Sequence, residues 1–166
     1  EKAVSLAFGP EDLSDIAAHE PAHMVRLVKR LRTDFGLLVP RVGRRHNVIR
    51  ILHLEDSAED AEIIQDLLRE EWPHCRFHRV WKRADYETAL KQGDHNLILS
   101  DHSMPGFDGL TALKLARQQS PKKPFIFLSS TIGGERAAEA IKRGATDYIP
   151  KDDLSRLVPA VRQAFK

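Results

Sequence analysis

Four short apolar runs of this sequence lead into residue types that can take part in phosphate or metal chemistry. These positions are Asp101 after residues 97–100, Glu55 and Asp56 after residues 49–54, Ser129 after residues 125–128, and Lys151 after residues 148–150. A carboxylate can act as the nucleophile that forms an aspartyl phosphate. Neighbouring acids can hold a divalent cation, and a lysine can bind a phosphoryl oxygen. Together these residue types predict a phosphoryl-transfer site.

Each of these residues also has an ordinary structural explanation. Aspartate is common in turns, and a turn follows Asp101 at Met104-Pro105-Gly106. The pair Glu55-Asp56 would suit the positive end of a helix dipole, and a single lysine or serine is usually solvated. The shared position decides between the explanations, because the carboxyl ends of parallel strands meet at the edge where open α/β sheets bind ligands.

Strand and helix patterns alternate through the C-terminal part of the chain. Predicted strands cover residues 48–54, 75–81, 97–100 and 125–128, with a short fifth strand at Tyr148 and Ile149. The first predicted helix begins at the N-cap Ser57, and the second and fourth cover residues 84–92 and 135–143. The third is marked by Leu110, Leu113 and Ala116, and the fifth by Leu154, Leu157, Val158, Val161 and Phe165. We therefore predict an α/β fold with a five-stranded, doubly wound parallel sheet in the flavodoxin-like strand order 2-1-3-4-5.

Cap residues predict where three of the helices begin or end. Asp60 stands three residues after Ser57, which predicts a shortened capping box in which both side chains bind the main chain. Gly93 and Gly144 are placed to close the second and fourth helices.

The first part of the chain does not share this alternation. Prolines at positions 10, 21 and 40 interrupt it, an apolar stripe lies between residues 24 and 35, and three arginines follow at 41, 44 and 45. We predict a helical extension and linker over residues 1–46, and a separate domain over residues 47–166. The extension is expected to dock on that domain or to mediate pairing into a homodimer.

Bulk composition limits the partners. The net charge is only +2, so nucleic acid is not an expected partner. No apolar stretch approaches the roughly 18 residues that a membrane span needs. Cys75 is the only cysteine, which favours a reducing compartment, and we expect a cytoplasmic location.

Residues from about 47 to 166 resemble the receiver domain of two-component response regulators. The resemblance is carried by Leu54-Glu55-Asp56, by the decapeptide at 100–109, by Phe127-Leu128-Ser129-Ser130 and by the octapeptide at 144–151. It implies that Asp101 accepts phosphate from a histidine kinase or phosphotransfer protein. It also implies that Asp56, Asp101 and the backbone carbonyl of Ser103 bind Mg²⁺ (or Mn²⁺), with Glu55 acting through water.

The same resemblance implies a conformational switch. Ser129 matches the switch hydroxyl, Lys151 the phosphate-contacting lysine, and Tyr148 the aromatic residue that turns inward on activation. The output surface would be the fourth helix, fifth strand and fifth helix, which would signal to a downstream protein or an attached sensory or kinase module. The resemblance also implies that the chain is not an enzyme and catalyses only its own phosphorylation and dephosphorylation. The family usually has proline after the lysine, with a cis bond, but here Asp152 follows Lys151, so we expect a trans bond.

The sequence bears on three other interpretations of the C-terminal domain. A flavin-binding protein of the flavodoxin type needs a phosphate-binding loop after the first strand, where Glu55-Asp56 would repel phosphate. A haloacid dehalogenase phosphatase needs a second acid two residues after Asp101, and that position is Ser103. A pseudo-receiver, which would act as a protein-interaction module without phosphorylation, remains the alternative, although the complete set of acids speaks against it.

Overall fold

Strands and helices alternate in a computed structural model of the protein, which describes residues 48–130 and 133–166. The elements in chain order are β1 (Arg50–Leu54), α1 (Ala58–Glu71), β2 (Arg76–Val80), α2 (Arg83–Gln92), β3 (Leu97–Asp101), α3 (Gly109–Gln119), β4 (Phe125–Ser129), α4 (Gly134–Lys142), β5 (Asp147–Pro150), a 3-10 turn (Leu154–Arg156) and α5 (Leu157–Ala164).

The five strands form one parallel sheet in the order β2-β1-β3-β4-β5. This arrangement confirms the predicted α/β fold and its strand order. Leu54 pairs with Ser100, and Asp101 pairs with Leu128. The ends of β1, β3 and β4 therefore lie side by side at one edge of the sheet.

The sheet is buried on both faces, as expected when helices cover a parallel sheet. Successive strand residues alternate between two apolar clusters, so Leu52 and Phe127 pack on the face covered by α2, α3 and α4. Ile51 and Leu128 pack on the opposite face, against α1 and α5. All five residues of β3 and all five of β4 are buried, which fixes the position of both strand ends.

Local sequence explains where the helices begin and end. The Ser57 hydroxyl accepts a hydrogen bond from Asp60 N at the start of α1, and the Asp108 carboxylate accepts one from Thr111 N at the start of α3. Gly93 closes α2 with a φ of 68°, and Gly144 follows α4 with a φ of 101°. Both glycines adopt the left-handed conformation that side chains disfavour, as the sequence predicts.

Three large apolar residues lie outside the strands and the helix predicted to contain them. Val48 was placed in the first strand and is 40% exposed, because the ladder begins only at Arg50. Trp81 was placed in the second strand and is 46% exposed beyond its end at Val80. Phe165 was assigned to the buried face of the last helix, and it is 44% exposed because α5 ends at Ala164.

The helical extension predicted for residues 1–46 lies outside the described residues. Among the residues that the structure describes, no helix combines the length and the apolar character that crossing a membrane would require.

Candidate functional site

Two neighbouring strands bring carboxylates to the same edge of the sheet. Asp101 is the last residue of β3 and is only 7% exposed. Glu55 follows β1 directly and is fully buried, whereas Asp56 is exposed. One ligand oxygen from each of these acids lies within 4.8 Å of the others. The structure therefore brings together the acids that the sequence predicted to share a site.

This acidic group fits a divalent cation. Like charges this close repel one another, and burial of Glu55 adds a desolvation cost that a cation relieves. Carboxylate and carbonyl oxygens are the ligands that Mg²⁺ prefers. Ser103 N donates a 2.9 Å hydrogen bond to Asp101 Oδ1, so the Ser103 main chain borders the site.

Lys151 supplies positive charge to the same acids. Its Nζ lies 2.7 Å from Asp101 Oδ2, from Glu55 Oε2 and from Asp60 Oδ2, and its side chain is 10% exposed. Burial alone would lower the pKa of Lys151, but hydrogen bonds to Asp101, Asp60 and Glu55 outweigh burial and raise it. Lys151 is thus a fixed cation at this edge. The bond to Asp152 is trans, as predicted, since the described residues contain no cis peptide.

Glu55 is the most strongly buried of the acids. Burial raises its pKa, while its hydrogen bond from Lys151 acts in the opposite direction. Its two oxygens are both engaged, because Ser57 N donates to Oε1 at 3.0 Å and Lys151 Nζ donates to Oε2. A buried carboxylate in this setting gains from every additional cation at the site.

Asp60 belongs to the site although the sequence analysis assigned it to helix capping. Its main-chain N–H donates to Ser57 Oγ, which is one half of a capping box. The other half is missing, because Ser57 N donates to Glu55 and the Asp60 carboxylate binds Lys151 instead. The sequence could have indicated this role, because Asp60 stands one helical turn after Asp56, at the edge that faces the strand ends.

The predicted switch residues Ser129 and Tyr148 belong to β4 and β5, on the side of Asp101 away from Glu55 and Asp56. Ser129 ends β4, is 1% exposed, and its carbonyl accepts a 2.7 Å hydrogen bond from Lys151 N. Tyr148 is 7% exposed, with its ring centroid 6.0 Å from that of Phe127. Tyr148 is therefore already inside the protein in this conformation.

His102 packs beside these residues and was not singled out from the sequence. Its ring centroid lies 5.4 Å from that of Phe127 and 5.9 Å from that of Tyr148. Burial lowers the pKa of His102, which favours the neutral form of the ring next to the aromatic side chains. No spacing pattern could have revealed this contact, because it depends on the turn that follows β3.

A family model that describes the response regulator receiver domain matches residues 51–162. This range contains every residue of the site described above.

Curated proteins are also similar to part of the chain. The DNA-binding transcriptional regulator NtrC of Escherichia coli (strain K12) is 37% identical over 83 residues, which are 49% of this chain and 18% of NtrC. A protein-glutamate methylesterase/protein-glutamine glutaminase of Archaeoglobus fulgidus is 36% identical over 107 residues, 63% of this chain and 30% of that protein. The chain thus spans less than a third of the length of these relatives.

Solved structures share the fold. The Francisella response regulator 1452 receiver domain aligns with a TM-score of 0.63 at 24% identity, covering 70% of this chain and 96% of that one. NtrX from Brucella abortus, solved in complex with ADP, aligns with a TM-score of 0.64 at 25% identity, covering 71% of this chain and 27% of that one.

Proposed function

The chain belongs to the response regulator receiver domain family, and from that membership we propose that Asp101 accepts a phosphoryl group from the phosphohistidine of a histidine kinase or phosphotransfer protein. The observation that carries the proposal is the ion pair between Lys151 Nζ and Asp101 Oδ2, at 2.7 Å, beside two further acids. An ordinary turn aspartate would not need this set of partners.

The transfer can be written with its charges and bonds balanced. A carboxylate oxygen of Asp101 attacks the phosphorus atom, a P–O bond forms, and the P–N bond of the phosphohistidine breaks. The departing imidazole keeps the electron pair and takes up a proton. Lys151 stabilises the added negative charge on the phosphoryl oxygens, while the Ser103 N–H orients the carboxylate.

We propose that Glu55, Asp56 and Asp101, with the backbone carbonyl of Ser103, hold Mg²⁺ or Mn²⁺. The bound cation would supply charge neutralisation for the incoming phosphoryl group. The convergence of the three acids within 4.8 Å supports this ligand set. We assign Asp56 and Asp101 to direct contact and Glu55 to contact through water.

We further propose that phosphorylation shifts an equilibrium between two conformations. The phosphoryl group would bind the Ser129 hydroxyl and draw it towards Asp101. The packing of Tyr148 against Phe127 would then stabilise one arrangement of the surface formed by α4, β5 and α5. A downstream protein, or an attached sensory or kinase module, would bind that surface.

We also propose an activity, a location and a role for residues 1–46. The chain acts on no separate substrate and catalyses only its own phosphorylation and dephosphorylation, in the cytoplasm. The division into a helical extension and linker at 1–46 and a domain at 47–166 stays a prediction, as does the role of the extension in docking on that domain or in pairing into a homodimer. Light scattering of the chain with and without residues 1–46 tests the pairing, because an unchanged number of chains per particle would rule it out.

The phosphorylation itself is tested with acetyl phosphate and Mg²⁺, followed by intact mass. We expect one added phosphoryl group on the wild-type chain and none on Asp101→Asn. Labelling that persists in Asp101→Asn would refute the assignment of Asp101. Mg²⁺ binding without any labelling of the wild type would favour the pseudo-receiver.

A further inference from the structure

We propose that Arg79, stacked on Trp81, is a positioning residue that fixes the metal-binding loop. Its guanidinium holds the main chain at Glu55 and Asp56, so that both carboxylates stay directed towards Asp101. The inference rests on the proposed function, because it concerns the affinity of the same acids for Mg²⁺.

The main chain between β1 and α1 lacks regular partners where the acids lie. The last bond between this segment and β2 runs from Glu55 N to Val80 O at 3.0 Å. The first bond of the helix cap involves Ser57, two residues later. The carbonyls of Glu55 and Asp56 fall between the sheet and the helix, so their hydrogen bonds must come from donors outside the regular main-chain pattern.

Arg79 provides those donors from the end of the neighbouring strand. Its Nε donates to Glu55 O at 2.9 Å, and its Nη2 donates to Asp56 O at 2.7 Å. Both bonds come from one rigid, planar group, so they fix the relative orientation of two successive peptide units. These bonds use main-chain oxygens only, so they orient the two acids without competing with a cation for their carboxylates.

Trp81 explains how the guanidinium is held in place. The Arg79 guanidinium carbon lies 4.8 Å from the centroid of the Trp81 ring, a cation–π distance. The ring is 46% exposed, although it follows a buried valine at the end of β2. An exposed tryptophan in this position contributes little to the core, but it restricts the rotation of Arg79.

A purely electrostatic role for Arg79 predicts the opposite result from a positioning role. A nearby positive charge repels Mg²⁺, so its removal would strengthen binding if charge were the only effect. Loss of the two hydrogen bonds instead lets the carbonyls turn and the carboxylates diverge, which weakens binding. The sign of the change in affinity therefore separates the two explanations.

The experiment measures the Mg²⁺ dissociation constant of the full 166-residue chain by calorimetry, without a phosphodonor. Arg79→Lys keeps the charge but loses the planar guanidinium that makes both hydrogen bonds. We expect its dissociation constant for Mg²⁺ to rise by about tenfold. Arg79→Gln should bind at least as weakly. Trp81→Ala should weaken binding by about threefold, whereas Trp81→Phe retains an aromatic face and should stay within about twofold of the wild type.

Arg76→Lys is the matched control, since Arg76 is an exposed residue at the opposite end of the same strand. Urea unfolding of each variant in EDTA separates stability from metal affinity. Unchanged Mg²⁺ affinity in Arg79→Lys, or tighter binding by Arg79→Gln, would overturn the positioning role while leaving the proposed function intact. A wild-type chain that binds no Mg²⁺ would overturn both the metal site and this inference.

Discussion

Asp101 ends β3 and Lys151 directly follows β5, and the two form a 2.7 Å ion pair although β4 lies between these strands. The two side chains are 10% and 9% exposed, so little water screens the pair. Because Lys151 also contacts Glu55 and Asp60, one ammonium group offsets the charge of several acids. This arrangement makes the stability of the site and its affinity for metal ions depend on the charges of Lys151 and Asp60.

Lys151→Met removes the cation and leaves the acids to repel one another. We expect the free energy of unfolding in EDTA to fall by about 3 kcal/mol, because breaking a buried ion pair leaves uncompensated charge. Mg²⁺ should restore part of this loss by binding the folded state. Urea unfolding with and without Mg²⁺ measures both effects, and Lys114→Met, on an exposed position of α3, should change neither.

Asp60→Asn removes one acid that the fold places on Lys151. A half-exposed charge near the site contributes about 1 kcal/mol to the binding of a cation, so the Mg²⁺ dissociation constant should rise by about fivefold. Glu62→Gln, an exposed acid on the next turn of α1, is the control. Equal affinities in calorimetry for Asp60→Asn and Glu62→Gln would show that Asp60 does not belong to the site.

Gly109→Ala tests the close packing beneath the phosphoacceptor. A Cβ at position 109 would lie 2.6 Å from Phe127 Cε1 and 2.8 Å from Asp101 O, so the strand end must shift. We expect a loss of about 1–3 kcal/mol in the free energy of unfolding and slower phosphorylation by acetyl phosphate. A Cβ at Gly134 meets no atom of residues 48–130 or 133–166 within 4 Å. Gly134→Ala should therefore keep wild-type stability and rate, and similar losses in both variants would contradict the steric explanation.

The pH dependence of stability should depend on His95, far from the acids. Burial lowers its pKa from 6.5 to about 4, and its Nε2 has no hydrogen-bond partner among the described residues. Below pH 6.5 the unfolded chain binds a proton that the folded chain does not, so stability is lost as the pH falls towards 4. In His95→Gln this loss should be smaller by about 3 kcal/mol at pH 4. Urea unfolding across this range measures it, and the exposed His74→Gln should follow the wild type.

The fold and most of the site could be predicted because both follow from chain direction. Apolar runs end where strands end, and in a parallel sheet those ends share an edge, which places Glu55, Asp101 and Lys151 together. The environment of Phe165 was predicted wrongly, because helical spacing continued past the residue at which α5 ends.

The roles of Asp60 and Arg79 depend on contacts that periodicity does not encode. Ser57 N could bind Asp60 or Glu55, and only the bend after β1 decides in favour of Glu55. Arg79 is one of two arginines on β2, so its contact with the loop carbonyls could not be predicted without the paired register of β1 and β2.

The central claim is that Asp101 carries the phosphoryl group, and reductive mapping tests it most directly. After acetyl phosphate treatment with Mg²⁺, borohydride reduces an aspartyl phosphate to homoserine, which peptide mass spectrometry can locate. We predict homoserine at position 101 alone, formed only when Mg²⁺ and the phosphodonor are both present. Homoserine at Asp56 or Asp60, or phosphorylated chain without homoserine at 101, would contradict the account.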